Sequence, residues 1–201
     1  MCGRYVAYSG EEYTEMENIV REVEKKLPGG ALLKLGEVFP TDLAPVLIPG
    51  HYGIQAVPMV WGFPRWNGGG VVINARAETA AEKKMFRSAL FNRRLVVPST
   101  GFFEWQRIDG KKLKDKYMIR LPREPMLYMA GLYNLYKEPN GSETGRFVIL
   151  TTGANGYMSE LHDRMPVILG AEDMKSWLSD GDKVGQILSR PGPELILEKV
   201  S

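Results

Sequence analysis

The sequence predicts an α+β domain: a mostly antiparallel, barrel-like sheet flanked by short helices. Three observations carry that expectation. Six stretches read as strands against four as helices, and the strands are short, rich in β-branched or aromatic residues, and bounded by Gly, Pro or Asn. The two kinds do not alternate regularly, which argues against a doubly wound parallel sheet. The chain has 201 residues, 44% of them hydrophobic, with no repeat, low-complexity tract or long linker to divide it. A single domain spanning 1–201 with a sizeable core is expected.

The elements follow in order. Ser9-Gly10-Glu11-Glu12 reads as a capping box, with Ser9 as N-cap and Glu12 at N3. Tyr13, Met16, Val20, Val23 and Leu27 then recur at helical spacing, and Pro28-Gly29-Gly30 ends the helix. A strand over Val71–Asn74 precedes a second capping box, Thr79-Ala80-Ala81-Glu82. It opens a helix carrying Met85, Phe86 and Leu90 toward Asn92. Strands are expected over Leu95–Val97, Gly101–Trp105, Tyr117–Leu121, Leu127–Tyr136 and Phe147–Thr152. Short helices are expected over Asn155–Leu161 and Ala171–Leu178.

Composition narrows the function class. Cys2 is the only cysteine, so no internal disulfide forms and the fold does not depend on an oxidising compartment. One Cys and two His, His51 and His162, do not suit a structural zinc site. Neither metal nor cofactor is expected. No apolar run reaches the roughly 18 residues of a membrane-spanning helix. The N-terminus lacks the basic-then-apolar pattern of a signal peptide, so a cytoplasmic protein is expected. A net charge of +2 permits a basic groove without demanding one. Nothing points to an obligate partner interface, and a monomer is expected.

The position of Cys2 is the most informative feature. Removal of Met1 makes Cys2 the first residue, with a free α-amine and a thiol on adjacent carbons. The amine has a pKa of about 8, so a useful fraction is neutral near pH 7. Cationic neighbours such as Arg4 are expected to lower the thiol pKa. A 1,2-aminothiol condenses with an aldehyde in two steps: the amine forms a Schiff base, then the sulfur closes a thiazolidine. An interior Cys cannot do this, because its nitrogen is held in a peptide bond. Two alternatives stand beside it. A terminal thiol can attack a carbonyl as an N-terminal nucleophile, or Cys2 is simply a small hydrophobe.

Other segments supply partners. "VVINARAET" brings Asn74, Arg76 and Glu78 to a strand end. Asn can orient an amine or an aldehyde hydrate, and Arg can clamp a phosphate. The alternative is a turn Asn followed by a solvated Arg. "PSTGFFEWQR" places Glu104 among aromatics, sharing a strand face with Phe102. A carboxylate so surrounded suits acid/base work near neutrality; the alternative is a solvent-facing Glu. "SELHDRMPVIL" sets His162 beside Asp163 and Arg164, either as a proton shuttle or as a polar residue at a helix end. Trp61, Phe63 and Trp66 occupy a Pro/Gly-rich loop with Arg65, where aromatics either stack on unpaired bases or anchor the core, Trp61 reading as core. Arg4, Arg76, Arg93, Arg94 and a lysine run from Lys111 to Lys116 offer charges for a phosphate backbone, or a solvated hairpin.

Together the blocks "MCGRY", "WGF…NARAET", "VVPSTGFFEW", "YMAGLY", "ILTTGAN" and "LHDRMPVIL" resemble, in order, those of the SOS response-associated peptidase (SRAP) family. The resemblance runs from Met1 to about Leu178. It implies a compact α+β domain with a barrel-like core. It implies a protein that binds single-stranded DNA and captures the aldehyde of an abasic deoxyribose as a thiazolidine crosslink, on the nucleoid at damaged DNA. Cys2 is then the nucleophile. Asn74 orients the Cys2 amine and the opened sugar, Glu104 is the acid/base group, and His162 assists ring opening. Arg4 and Arg76 lie near phosphates, with Trp66 and Thr152 as further groove residues. Elimination of the 3′ phosphate before ring closure implies a lyase side activity.

The chain departs from the family pattern at Trp61-Gly62-Phe63-Pro64-Arg65-Trp66, followed by a short glycine-rich loop, and at Val96, where a Cys is common. It carries no long tail, which suggests a bacterial-type member. Two other readings remain: a thiol autopeptidase that removes Met1, and a non-catalytic single-strand binding module.

Overall fold

The structure is a computed structural model that describes residues 2–8, 13–27, 29, 31–66, 68–106, 115–138 and 140–200. Chain order begins with β1 (Arg4–Ala7), α1 (Thr14–Glu24), β2 (Gly36–Val38), β3 (Leu43–Gly50), β4 (Gly53–Trp61), β5 (Phe63–Pro64), β6 (Val71–Val72) and β7 (Asn74–Arg76). It continues with α2 (Ala77–Ala80), α3 (Lys84–Asn92), β8 (Arg94–Ser99), β9 (Gly101–Trp105), β10 (Lys116–Arg120), β11 (Leu127–Lys137) and β12 (Glu143–Gly153). The last elements are β13 (Arg164–Pro166), β14 (Ile168–Leu169), α4 (Ala171–Ser179), α5 (Val184–Leu188) and β15 (Ile196–Lys199).

The expected α+β architecture is present. Strands β12, β4, β3, β8 and β11 pair in that order, and β11 pairs back onto β12, which closes a five-stranded barrel. Closure removes the edges that would otherwise need covering. β7 and β13 attach to β12, and β14 to β11. Among the described residues only β12–β4 and β12–β7 are parallel. A second, antiparallel sheet runs β15-β10-β9-β1-β2. Its inner face (Tyr5, Ala7, Phe102, Ile119) joins the main core, while Val6, Phe103 and Met118 form a separate cluster on its outer face. This is the period-two alternation of a strand, with both faces used.

The β3–β4 hairpin is not legible in the sequence because prolines interrupt both runs. Pro45 lies opposite Pro58, so one register position holds two residues that have no N–H to donate. The strand expected over Val71–Asn74 is broken at Ile73. Its carbonyl accepts from Trp61 Nε1 at 3.0 Å and from the Ile149 N–H at 3.0 Å, which leaves β6 on β5 and β7 on β12.

The helices differ as well. α1 starts at Thr14, and the Ser9–Glu12 box lies outside the described residues. The Thr79 box does not form, because Thr79 sits inside α2, capped at Arg76. Lys83 takes extended backbone, φ −75° and ψ 122°, and splits the expected helix into α2 and α3. Over 155–161 there are successive turns instead of a helix. The Asn155 carbonyl accepts from Met158 and Ser159, and its Oδ1 from the Tyr157 and Met158 N–H groups. The expected terminal helix is α4.

Arg94 is structural rather than a phosphate contact. Its buried guanidinium donates to the Leu90 and Phe91 carbonyls at 3.1 and 2.8 Å, and to that of Trp177, tying α3 and α4 to the barrel. Arg93 donates to Asn134 Oδ1. Lys111, Lys112 and Lys114 lie outside the described residues. No described helix is long and apolar enough to cross a membrane.

Gly131 lies on β11, where the barrel closes. A Cβ there would meet Leu95 Cδ1 at 2.5 Å and the Val148 carbonyl at 2.9 Å. Gly131→Ala is expected to lower stability by about 1–3 kcal/mol through overpacking, read as a lower midpoint in equilibrium urea denaturation.

Candidate active site around Cys2

The site forms where the N-terminal strand crosses the barrel. β1 pairs with β9 at Tyr5↔Phe102 and with β2 at Tyr5↔Val38. That pairing draws Cys2 out of solvent, and its relative exposure is 0%. The thiol donates to the Arg4 carbonyl at 3.5 Å. The Cys2 carbonyl accepts from Asn74 Nδ2 at 2.9 Å. The two motifs, 72 residues apart, therefore meet at one residue.

Asn74 opens β7, which pairs with β12 at Asn74↔Ile149 and Arg76↔Thr151. Alternation buries Ala75 and turns Asn74 and Arg76 to the other side. Both line an open cavity of about 530 Å³ together with Val72, Lys83, Met85 and Phe86.

Glu104 is buried on β9, opposite Tyr117 of β10. It shares the inner face with Phe102, as the alternation of "GFFEW" predicts. Burial pushes the Cys2 thiol well above its ordinary value, and the negative charge of Glu104 adds to the push. This reverses the expectation that Arg4 lowers it. Arg4 is two residues away in sequence, but its side chain leaves β1 on the outer face and reaches Glu37 at 3.1 Å. Burial also raises the Tyr5 phenol, with Cys2 as the next contributor.

His162 stands on the turn before β13. Its Nδ1 accepts from the Arg164 backbone N–H at 3.0 Å and lies 2.8 Å from Asp163 Oδ1. Arg164 does not pair with Asp163. It makes a bidentate contact with Glu78 at 2.7 and 2.9 Å and donates to the Thr151 carbonyl at 2.6 Å. Hydrogen bonds from Arg164 hold the Glu78 carboxyl below the usual carboxylate range, outweighing its partial burial. This clasp fastens the His162 turn to the "NARAET" segment. The sequence reading passed over it, although a bulky cation and an acid in two separate blocks were its available signal.

The remaining positions are dispersed. Trp61 and Phe63 are core, whereas Trp66 is 94% exposed. Thr152 lines a different cavity of about 250 Å³, beside the Asp173–Arg190 ion pair. The structure thus joins Cys2 to Asn74 by a hydrogen bond and brings the Glu104 charge to bear on the Cys2 thiol. Arg76 shares a cavity with Asn74, whereas the Arg4 side chain lies on the outer sheet face, Trp66 is exposed and Thr152 lines another cavity.

The SOS response-associated peptidase family model matches residues 1–201. This chain belongs to the SRAP family. Among similar proteins, the abasic site processing protein YoqW of Bacillus subtilis is 34% identical over 186 residues, covering 89% of this chain and 80% of that protein. The abasic site processing protein YedK of Escherichia coli is 28% identical over 181 residues, covering 89% and 79%. A solved protein from Bacteroides thetaiotaomicron superposes with a TM-score of 0.79 at 25% identity, over 100% of this chain and 92% of that one. One from Bordetella bronchiseptica, at 20% identity and TM-score 0.80 over the whole of both chains, shares the fold.

The raised thiol pKa has a sign that can be tested. The folded state holds the Cys2 proton more tightly than the unfolded chain, whose thiol titrates near 9.0. The contribution is complete below that value and is lost as pH rises toward the folded pKa. The wild-type urea midpoint is expected to fall more steeply than that of Cys2→Ala between about pH 9 and 10.5. Equal slopes would contradict the assignment.

Proposed function

We propose that this protein processes abasic sites in single-stranded DNA by covalent capture at Cys2. The observation that carries the reading is the anchoring of Cys2. Its carbonyl is held by Asn74 and its thiol is buried near the Glu104 charge, in a chain whose relatives are named abasic site processing proteins.

The chemistry balances with no added redox partner. Once Met1 is removed, the Cys2 amine adds to the sugar aldehyde, and water leaves to give a Schiff base. Sγ then bonds to the imine carbon, and the thiol proton passes to nitrogen. One water is lost overall. A raised thiol pKa is compatible with this order, because the proton stays on sulfur until ring closure needs it on nitrogen. Glu104, on the inner wall, relays that proton and serves the first addition as acid/base. Asn74 fixes the Cys2 backbone so that amine and sulfur face one carbon. His162 assists sugar ring opening from the clasped turn. Arg76 binds a flanking phosphate at the rim of the cavity, with Arg4, Trp66 and Thr152 along the strand's path. Elimination before ring closure gives the lyase product.

The autopeptidase reading asks for a thiolate attacking a peptide carbonyl. A buried thiol with a raised pKa is poorly suited to that.

A heat-stable band is expected on a denaturing gel when the Met-free protein meets a single-stranded oligonucleotide with one abasic site. Its mass should equal protein plus DNA minus one water. Cys2→Ala should abolish it, and Cys2→Ser should shift product toward cleaved strand. A stable adduct persisting in Cys2→Ser would rule out the thiazolidine. Glu104→Gln should slow adduct formation by about 10²–10⁴ in single-turnover kinetics, the usual range for a general acid/base. Arg76→Ala should reduce the salt slope of strand binding by about 0.7, the value for one phosphate contact on a single strand.

A further inference from the structure

The outer face of the β15-β10-β9-β1-β2 sheet carries a charge network that the capture chemistry does not use. Arg4 leaves β1 on this face, and its guanidinium carbon lies 4.6 Å from the Phe39 ring centre and 4.9 Å from that of Trp105. Nη1 donates to Glu37 Oε1 at 3.1 Å. The same oxygen accepts from Lys116 Nζ at 2.9 Å, and that ammonium sits 3.8 Å from the centre of the Phe103 ring. One carboxylate oxygen thus pairs with two cations, each already seated on an aromatic face, and its single negative charge offsets part of theirs.

These contacts divide the work. The rings of Phe39 and Trp105 fix where the Arg4 guanidinium lies, and cation–π attraction does this without consuming an N–H donor. Glu37 consumes donors. Burial opposes charge on Glu37, but hydrogen bonds from Lys116 and Arg4 prevail and hold its pKa below the usual carboxylate range. The carboxylate is therefore anionic at neutral pH. A phosphodiester oxygen asks for the same N–H groups at the same angles. The network is also partly open: side-chain exposure is 37% for Arg4, 30% for Glu37 and 19% for Lys116. An arriving strand can reach it, and the ion pairs are weak enough to exchange.

We propose that Glu37 is an anionic latch that competes with DNA phosphates for Arg4 and Lys116, and so sets how tightly the protein holds an undamaged strand. The latch rests on the abasic-site reading for the identity of the polyanion. Its consequence is selectivity. Cations engaged by Glu37 bind intact single strands more weakly, and retention is left to the covalent step at Cys2, which only an aldehyde permits. Glu37 acts through Arg4 and Lys116; it is a specificity-determining residue and not a catalytic one.

The test is fluorescence anisotropy with a labelled oligothymidylate that contains no abasic site, over a range of salt concentrations. Glu37→Gln is expected to bind about tenfold tighter at low salt, with a log–log salt slope steeper by about 0.7 for each cation released to a phosphate. The gain should disappear in the double variant Arg4→Gln/Glu37→Gln. Unchanged or weaker binding by Glu37→Gln overturns the latch and makes Glu37 a support for Arg4. If Glu37→Gln does not fold, as judged by its thermal transition, Glu37→Asp is read instead. It withdraws the carboxylate by one methylene, and tighter binding is again required. Wild-type crosslinking to an abasic oligonucleotide is scored in parallel. A wild type that crosslinks while Glu37→Gln binds no tighter removes the latch alone. A wild type that neither binds nor crosslinks removes both proposals.

Discussion

The pairing of β1 between β9 and β2 is the constraint on which the site depends. A strand of four residues, Arg4–Ala7, has little affinity of its own for a sheet. It holds because Tyr5 is fully buried with its ring edge against Trp61 at 5.2 Å, and because Ala7 faces the same core. Seating that strand does two things at once. It carries the residue before it, Gly3, and then Cys2 into the protein, where Asn74 waits at the head of β7. It also projects Arg4 the other way. A chain terminus is ordinarily poorly ordered; here the strand that follows Cys2 is paired on both sides.

The barrel makes this possible by fixing β12. That strand closes the ring through β4 and β11, and along its length it takes β7 in parallel and β13 antiparallel. Asn74, Arg76 and the His162 turn therefore hang from one central strand. The Arg164–Glu78 clasp then locks the His162 turn against α2. Half-buried and bidentate, it has a geometry that rigidifies more than an exposed pair would. The proposed condensation, in which two nucleophilic atoms of one residue must reach one carbon in sequence, depends on positioning of this kind.

Burial of the thiol sets the order of steps in the proposed capture. A thiol with a depressed pKa would be reactive toward any electrophile. The Cys2 thiol is pushed the other way, by the absence of solvent and by the Glu104 charge. In the proposed capture, sulfur enters where a proton acceptor is already bonded to the target carbon, as in an imine. On that proposal, the same carboxylate that keeps the thiol quiet moves its proton.

Much of this was legible in the sequence. The α+β class follows from strands that outnumber helices, and the inward Glu104 follows from the alternation in "GFFEW". Cys2 was singled out by its position, since only a terminal residue owns a free amine. What the sequence could not decide were relations between segments. Prolines hid β3 and β4, because a pattern rule sees a missing donor and not the partner strand that tolerates it. The capping box at Thr79 was overridden by the extended Lys83 and by β7 leading directly into α2. Arg4 looked like the thiol's cationic neighbour because it is two residues away, yet its side chain lies on the outer face of β1 with Val6 and Phe103, while Cys2 precedes the strand and turns into the core. Arg94 looked like a surface charge until two helix ends closed over it. Local chemistry is written in residue types and spacing. Which groups meet, and with what pKa, is set by burial and by pairings across 72 residues and more, and those exist only once the chain has closed.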